Sequence, residues 1–305
     1  MNITTLQPGE TATEPGLYRM TAEQYRAIDA VNWSTLKHIA NSPKHYRHAV
    51  TTASAPDTES QRAGSMFHTA LLEPDTFAER YVVLPPDAPR RPSAAQWNAK
   101  KPSPDSIAAM QWWTNWNESY GGCEIVQHHE WQTAYNMANA VRFDVNAGRY
   151  ITQAVLIEVA VIWRDPATGL MCKARPDLVA RHWDGLVLLD AKSCRPADAR
   201  QFGSRAAAYG YHCQLAHYRN GLAEIGIEVS ECGIISCESI APHDVGVHWL
   251  DSETRALAHE TVDGLLHRVA ECTASGKWPG RYETEQTLLM PAYMFGEKLE
   301  IEYAD

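Results

Sequence analysis

Three short apolar runs stand close together in the middle of the chain: Val155 to Trp163, Met171 to Ala180, and Leu186 to Leu189. Asp165-Pro166 with Gly169, and then Asp184-Gly185, supply turn signals between them, so the pattern predicts an antiparallel β-meander. Leu186 to Leu189 is apolar on both faces, as in a central strand covered on both sides. Away from this centre the spacing becomes helical. Thr21 precedes a helix over Ala22 to Ala30, Asn32-Trp33-Ser34 caps one over Thr35 to Ala40, and another starts at Pro43. Gln61 to Leu72 puts Met66, Phe67, Ala70 and Leu71 on one face and stops at Glu73-Pro74. Ala108 to Tyr120 and His128 to Ala147 are also helical, as is Ala197 to Ile225 with a break expected near Gly210. Strands follow over Glu231 to Ser239 and Val245 to Leu250, then a long helix capped by Ser252 and running to about Thr273.

This order predicts one α/β domain over residues 18–282, with a central mixed β-sheet flanked by helices. Residues 1–17, polar with Pro8 and Pro15, are expected to be a loose arm. Residues 51–60 and the proline-rich 85–106 are expected as loops. The tail 283–305 carries Leu288, Leu289, Met290, Tyr293, Met294 and Phe295, and is expected to dock on its own body or on a neighbouring subunit.

Charge changes the picture at the ends of the central strands. The second run carries Pro176-Asp177 and the third ends in Asp190-Ala191-Lys192. Alternation along a strand puts Asp190 and Lys192 on one face, and a hairpin folds Asp177 back beside Asp190. Glu158 lies in the first run, where a buried carboxylate needs a partner, and Arg175 is the natural candidate. Two convergent carboxylates supply the hard oxygen donors that Mg²⁺ takes alongside water and phosphate, and a lysine one strand-period away can orient or deprotonate the attacking water. The set suits metal-assisted phosphodiester hydrolysis. The bland alternative is a strand-end ion pair of Asp190 with Lys192 or Arg175 on a solvated rim.

Pro176-Asp177, Asp190-Ala191-Lys192, and then Gln214 and Tyr218 at helical i, i+4 spacing resemble the PD-(D/E)XK nuclease superfamily. More narrowly they resemble the RecE-like (exonuclease VIII) phage and prophage exonucleases, related to the RecB nuclease domain and the λ-type exonucleases. Gly64-Ser65-Met66-Phe67-His68 followed by Leu71-Leu72-Glu73-Pro74 is similar to the helix that brings a histidine ligand to the metal in that group, and Gly276 to Gly280 is similar to its closing segment. The resemblance runs from about Trp33 to Tyr282. It implies Mg²⁺, with Mn²⁺ able to substitute, held by His68, Asp177, Asp190 and the Ala191 carbonyl. It implies catalytic roles for Lys192, Asp177, Asp190, Gln214 and Tyr218, with Glu158 helping to position metal or water. Ser34, Lys37 and Arg175 become candidate phosphate contacts. The implied activity is degradation of one strand of linear double-stranded DNA from its 5′ end, leaving a 3′ overhang for annealing-type recombination. A homo-oligomeric ring around the DNA and a RecT-like single-strand annealing protein as partner are also implied. A metal-dependent endonuclease of the same superfamily, or a catalytically inactive DNA-binding module, remain the alternatives.

Composition sets limits on these readings. The 305 residues are 45% hydrophobic and 21% charged, an ordinary globular profile, and no apolar run reaches membrane-spanning length. The N-terminus lacks a signal-peptide pattern, and seven irregularly spaced cysteines suit reduced thiols. These features suit a cytoplasmic protein with no membrane partner, and the resemblance implies that the cell is a bacterium or phage-infected host. Some relatives in the superfamily hold an iron–sulfur cluster through one early cysteine and a tight C-terminal trio. No cysteine precedes Cys123 and the later ones are dispersed, so no iron–sulfur cluster is expected. A net charge of −10 argues against coating nucleic acid by bulk electrostatics and predicts narrow, local contact. Arg90, Arg91, Lys100 and Lys101 form the one basic strip.

Overall fold

The computed structural model describes residues 1–52, 57–183, 185–291 and 294. The first segment corrects the expectation of a loose arm. Strands β1 (Ile3–Thr5) and β2 (Gly16–Arg19) pair in parallel across the Pro8-Gly9 turn, and Ala12 and Leu17 are buried. The few apolar positions here are too widely spaced to announce a strand, and only pairing with distant residues fixes them. Helix α1 (Ala22–Ala27) starts at a Thr21–Gln24 capping box. Helix α2 (Trp33–Leu36) starts at Asn32, whose side chain accepts from Thr35 N–H. A 3₁₀ turn, Lys37–Ala40, leads into α3 (Pro43–Thr51), where Ser42 is the cap and Pro43 occupies the first turn.

Helix α4 (Glu59–Leu72) buries Met66, Phe67, Ala70 and Leu71 as its spacing predicts. Burying Phe67 alone is worth about 2–3 kcal/mol against leaving it in water. After α5 (Pro74–Arg80), strand β3 (Tyr81–Val83) leaves the body. The chain passes through α6 (Ala94–Trp97) and α7 (Pro104–Tyr120), then returns as β4 (Glu124–Val126), parallel to β3. Helix α8 (His128–Phe143) lies against α4, meeting its apolar face with Ala134, Met137, Ala138 and Val141. Helix α9 (Gly148–Thr152) follows.

The central runs fold as antiparallel hairpins, but the first two each divide between two sheets. Val155 to Trp163 becomes β5 (Ala154–Ile157) and β6 (Ala160–Arg164), and Met171 to Ala180 becomes β7 (Met171–Ala174) and β8 (Leu178–His182). Strands β6 and β7 complete a four-stranded sheet ordered β1-β2-β6-β7. Strands β5 and β8 join β9 (Gly185–Cys194). After β9 come α10 (Ala199–Tyr209) and α11 (Tyr211–Glu224), broken at Gly210 as expected. Then follow β10 (Glu231–Glu238), β11 (Val245–Trp249) and α12 (Ser252–Ser275), whose cap is Asp251 rather than Ser252. The larger sheet is mixed, ordered β11-β10-β9-β8-β5, with β9 and β10 parallel across the α10–α11 crossover. The predicted α/β class is the one observed, with a second sheet the pattern did not announce.

Both faces of the larger sheet are covered. Leu178, Ala180, Val187, Leu189 and Ala191 pack toward α4 and α8, while Val179, Leu188 and Ile234 pack toward α11 and α12. This is why β9 reads as a continuous apolar run until it reaches Asp190. Helix α11 comes close to β6 because Gly221 has no side chain: a Cβ there would stand 2.5 Å from the Trp163 ring. The Gly276–Gly280 segment returns to α3, where Trp278 stacks on Tyr46 with 5.6 Å between ring centroids. The described part of the tail leaves Leu288 and Leu289 exposed, so docking on the chain's own body is not seen there. Tyr293 and Phe295 lie outside the described residues.

Candidate active site at the seam between two sheets

The chain crosses from one sheet to the other twice, and both crossings carry acids. β5 passes into β6 through Glu158, and β7 passes into β8 through Arg175-Pro176-Asp177. The crossings are joined by a hydrogen bond from Glu158 N–H to the Asp177 carbonyl, 3.2 Å. Glu158 has φ of 51°, in the left-handed region that costs a non-glycine residue about 1–2 kcal/mol. It is therefore held at a break between strands rather than within one, as the sequence suggested.

Register brings the other acid across. Leu178 pairs with Leu189, so Asp177 comes opposite Asp190 at the end of the β8–β9 hairpin. The Ala191 N–H donates to Asp177 Oδ2 at 2.7 Å, and Lys192 Nζ closes on Asp190 Oδ2 as an ion pair. Helix α4 presents His68, whose Nδ1 lies 3.3 Å from Asp177 Oδ2. On the far side, Arg175 Nε forms an ion pair with Glu158 Oε2 at 2.9 Å. One donor atom from each of His68, Glu158 and Asp177 falls within 4.8 Å of the others. Asp190 is 1% exposed, and neither of its oxygens accepts a directed hydrogen bond from another described residue.

The electrostatics follow from packing acids together out of water. Burial, then the charge of Asp177, push Glu158 up to about 8 against the opposing pull of Arg175. Burial and Asp177 likewise push Asp190 up to about 6, with Lys192 pulling the other way. Burial alone would lower Lys192, but Asp190 and Asp177 outweigh it and hold the ammonium above its ordinary value. Three acids thus share a small volume with Arg175, Lys192 and His68, and their mutual repulsion is part of what raises Glu158 and Asp190. Hard carboxylate oxygens with one imidazole are the donor set a divalent cation takes, so the residues present fit a metal ion.

The remaining predicted residues divide. On α11, Gln214 Nε2 donates to Tyr218 Oη at 2.7 Å. Burial, then the charges of Asp190 and Asp177, hold the Tyr218 phenol protonated. Both residues therefore stand at the acid cluster. Ser34 and Lys37 do not: Ser34 is exposed and donates to Asn32 Oδ1, and Lys37 is exposed on the 3₁₀ turn. Their neighbour Trp33 sits against Gly210, where a Cβ would stand 2.8 Å from the indole.

Two tyrosines complete the surroundings without having been singled out. Tyr25 of α1 lies under Arg175, with the guanidinium carbon 5.4 Å from its ring centroid and Lys173 Nζ 5.0 Å from the same point. Lys173, itself buried, donates to the Tyr25 and Ile28 carbonyls and so ties α1 to β7. Tyr211, the first residue of α11, lies beneath Lys192 with 5.0 Å from Nζ to the ring centroid. Only its position directly after the turn-forming Gly210 could have signalled it. A cavity of about 350 Å³ opens beside Glu158, lined also by Arg19, Leu72, Glu73 and Ile157.

Comparison with known proteins agrees with this layout. No curated protein matches the chain. A crystal structure of a protein from Eubacterium rectale named "Putative exonuclease" superposes with a TM-score of 0.54 at 13% identity, covering 93% of this chain and 99% of that one. No helix among the described residues is long and apolar enough to cross a membrane. Residues 32–288 match the family described as a PDDEXK-like domain of unknown function (DUF3799), and the chain belongs to that family within the PD-(D/E)XK nuclease superfamily.

Proposed function

We propose that the chain is a divalent-metal-dependent exodeoxyribonuclease. On this reading it degrades one strand of linear double-stranded DNA from the 5′ end and leaves a 3′ overhang. The observation that carries the hydrolytic part is the convergence of His68, Glu158 and Asp177, with the buried Asp190 opposite Asp177 in register and Lys192 paired to it. The 5′ polarity, the product overhang and Mg²⁺ as the natural metal rest on the RecE-like resemblance.

In this mechanism Asp177, Asp190, His68 and the Ala191 carbonyl hold the metal, with Glu158 as a further oxygen donor. When bound, the metal supplies a polarised phosphoryl group and an acidified water. The protein does the positioning. Asp190 fixes Lys192 on the cluster side of β9, where its ammonium orients the attacking water and offsets charge developing on the phosphate. Gln214 donates its amide proton to Tyr218 Oη, leaving the phenol O–H free to donate to a phosphate oxygen or water. Arg175 keeps Glu158 pointed into the seam and is the cation placed to meet a neighbouring phosphate.

A digestion assay tests the reading. Linear duplex labelled at the 5′ or the 3′ end is compared with closed circular duplex, in Mg²⁺ and in EDTA. The expected outcome is Mg²⁺-dependent early loss of the 5′ label with circles spared. Cutting of circles would assign an endonuclease instead, and folded protein that binds DNA without digesting it in Mg²⁺ or Mn²⁺ would assign a binding module.

A further inference from the structure

Between β3 and β4 the chain makes an excursion, residues 84–123, that the catalytic cluster does not use. Helix α7 is its main part. It is 17 residues long with only Trp113 buried, and it has no extended packing interface with another helix or strand. A helix of that length standing apart is marginal in water, so its own side chains must support it. They do so by stacking at i, i+4 spacing. Trp112 lies on Trp116 with 5.1 Å between centroids and 12° between planes, and Trp116 on Tyr120 at 4.6 Å. Trp113 is pinned to the preceding loop: its indole N–H donates to the Pro89 carbonyl at 3.0 Å, and Arg91 lies 5.1 Å over the ring. The outer ends remain open, with Tyr120 41% and Trp97 44% exposed.

The same excursion holds the chain's basic strip. Arg90, Arg91, Lys100 and Lys101 are all exposed, and none has a carboxylate partner among the described residues. Over residues 84–104 they face a single acid, Asp87, for a local net charge of +3 in a chain of −10. Asp105 and Glu118 lie on α7 itself. Unpaired cations beside open aromatic faces complement a flexible polyanion that carries its own flat rings. A duplex would use the cations and leave the rings idle, because its bases are already stacked.

We infer that this excursion is an arm that holds single-stranded DNA, with Arg90, Lys100 and Lys101 on phosphates and Trp97, Trp112 and Tyr120 against unpaired bases. The inference rests on the nuclease reading, which supplies the strand: a single strand is what remains when one strand of a duplex is removed.

The test uses the full-length chain in EDTA, where binding is separated from hydrolysis. Oligothymidylate should quench tryptophan fluorescence, and should bind more tightly than either blunt duplex of the same length or an abasic oligomer of the same charge. The combined Arg90→Ala, Lys100→Ala and Lys101→Ala substitutions, all at exposed positions, should weaken binding at least about tenfold. They should also reduce the slope of log K against log salt by about 2, three phosphates at roughly 0.7 each. Unchanged affinity and slope would overturn the inference, as would an equal loss of duplex or abasic-oligomer affinity on the triple substitution. A change in sedimentation with DNA binding unaltered would overturn it too, making the arm an interface between copies. Hydrolysis of bis(p-nitrophenyl) phosphate in Mn²⁺, a substrate too small to reach the arm, is measured on the same proteins. It should survive the triple substitution; its absence from the wild type would sink the nuclease reading and leave the binding result standing.

Discussion

Glu158 is the residue on which the site's local physics is most concentrated. It is half-buried, strained at positive φ, hydrogen-bonded through its backbone to the Asp177 carbonyl, and paired with Arg175. Its carboxyl is pushed up to about 8, first by burial and then by Asp177, so the native state keeps a proton that the unfolded chain releases near pH 4.5. Between those values the native state binds more protons than the unfolded one, and stability falls as pH rises. The metal-free protein should therefore melt at progressively lower temperature from pH 5 to pH 8. Glu158→Gln should flatten that slope, and added Mg²⁺ should oppose it by binding the native state alone. Thermal melts in EDTA and in Mg²⁺ across that range check it; a wild-type melting temperature that rises over the window would contradict the assignment. The sequence disclosed Glu158 as an acid needing a partner, and Arg175 as that partner. It could not disclose the left-handed backbone, because no glycine or proline marks the break inside Val155 to Trp163. Tyr25 and Tyr211 were hidden for a related reason: each reaches the cluster through contacts far along the chain.

At the scale of elements, the site depends on pieces that fix one another's position. Helix α4 places His68 because Met66, Phe67, Ala70 and Leu71 lock it onto α8, and that face was legible from spacing alone. The β8–β9 register was legible as well, since one tight turn opposes Asp177 to Asp190. The division of the apolar runs between two sheets was not, because either half of each run satisfies the strand pattern. Gly210 is the sharpest element-level test. Its φ is 70°, and a Cβ there would stand 2.8 Å from the Trp33 ring. Gly210→Ala should cost at least about 1–2 kcal/mol from the backbone alone, and should displace the start of α11, which carries Tyr211, Gln214 and Tyr218. Urea unfolding should register the loss of stability, and catalytic turnover should fall further than stability predicts. A variant as stable and active as the wild type would show that the α2–α11 contact is dispensable.

Over the whole molecule, acidic charge and the proposed DNA-cleaving site are reconciled by confinement. The net charge is −10, yet the seam itself pairs its acids with Arg175 and Lys192. Residues 84–104 concentrate positive charge in one stretch, with a local net charge of +3. The layered architecture was readable from element order, whereas strands β1 and β2 were not, their pairing being set by contacts with β6 that no local pattern announces.

The central claim is that the seam between the sheets hydrolyses phosphodiesters with Lys192 beside the metal-binding carboxylates. Release of acid-soluble nucleotides from linear duplex DNA, by wild type and by Lys192→Ala in Mg²⁺ and in EDTA, tests it most directly. Release by the wild type that EDTA abolishes is expected, with a fall of about 10²–10⁴-fold in the folded Lys192→Ala protein. Equal rates for the two proteins, or release that persists in EDTA, would contradict it.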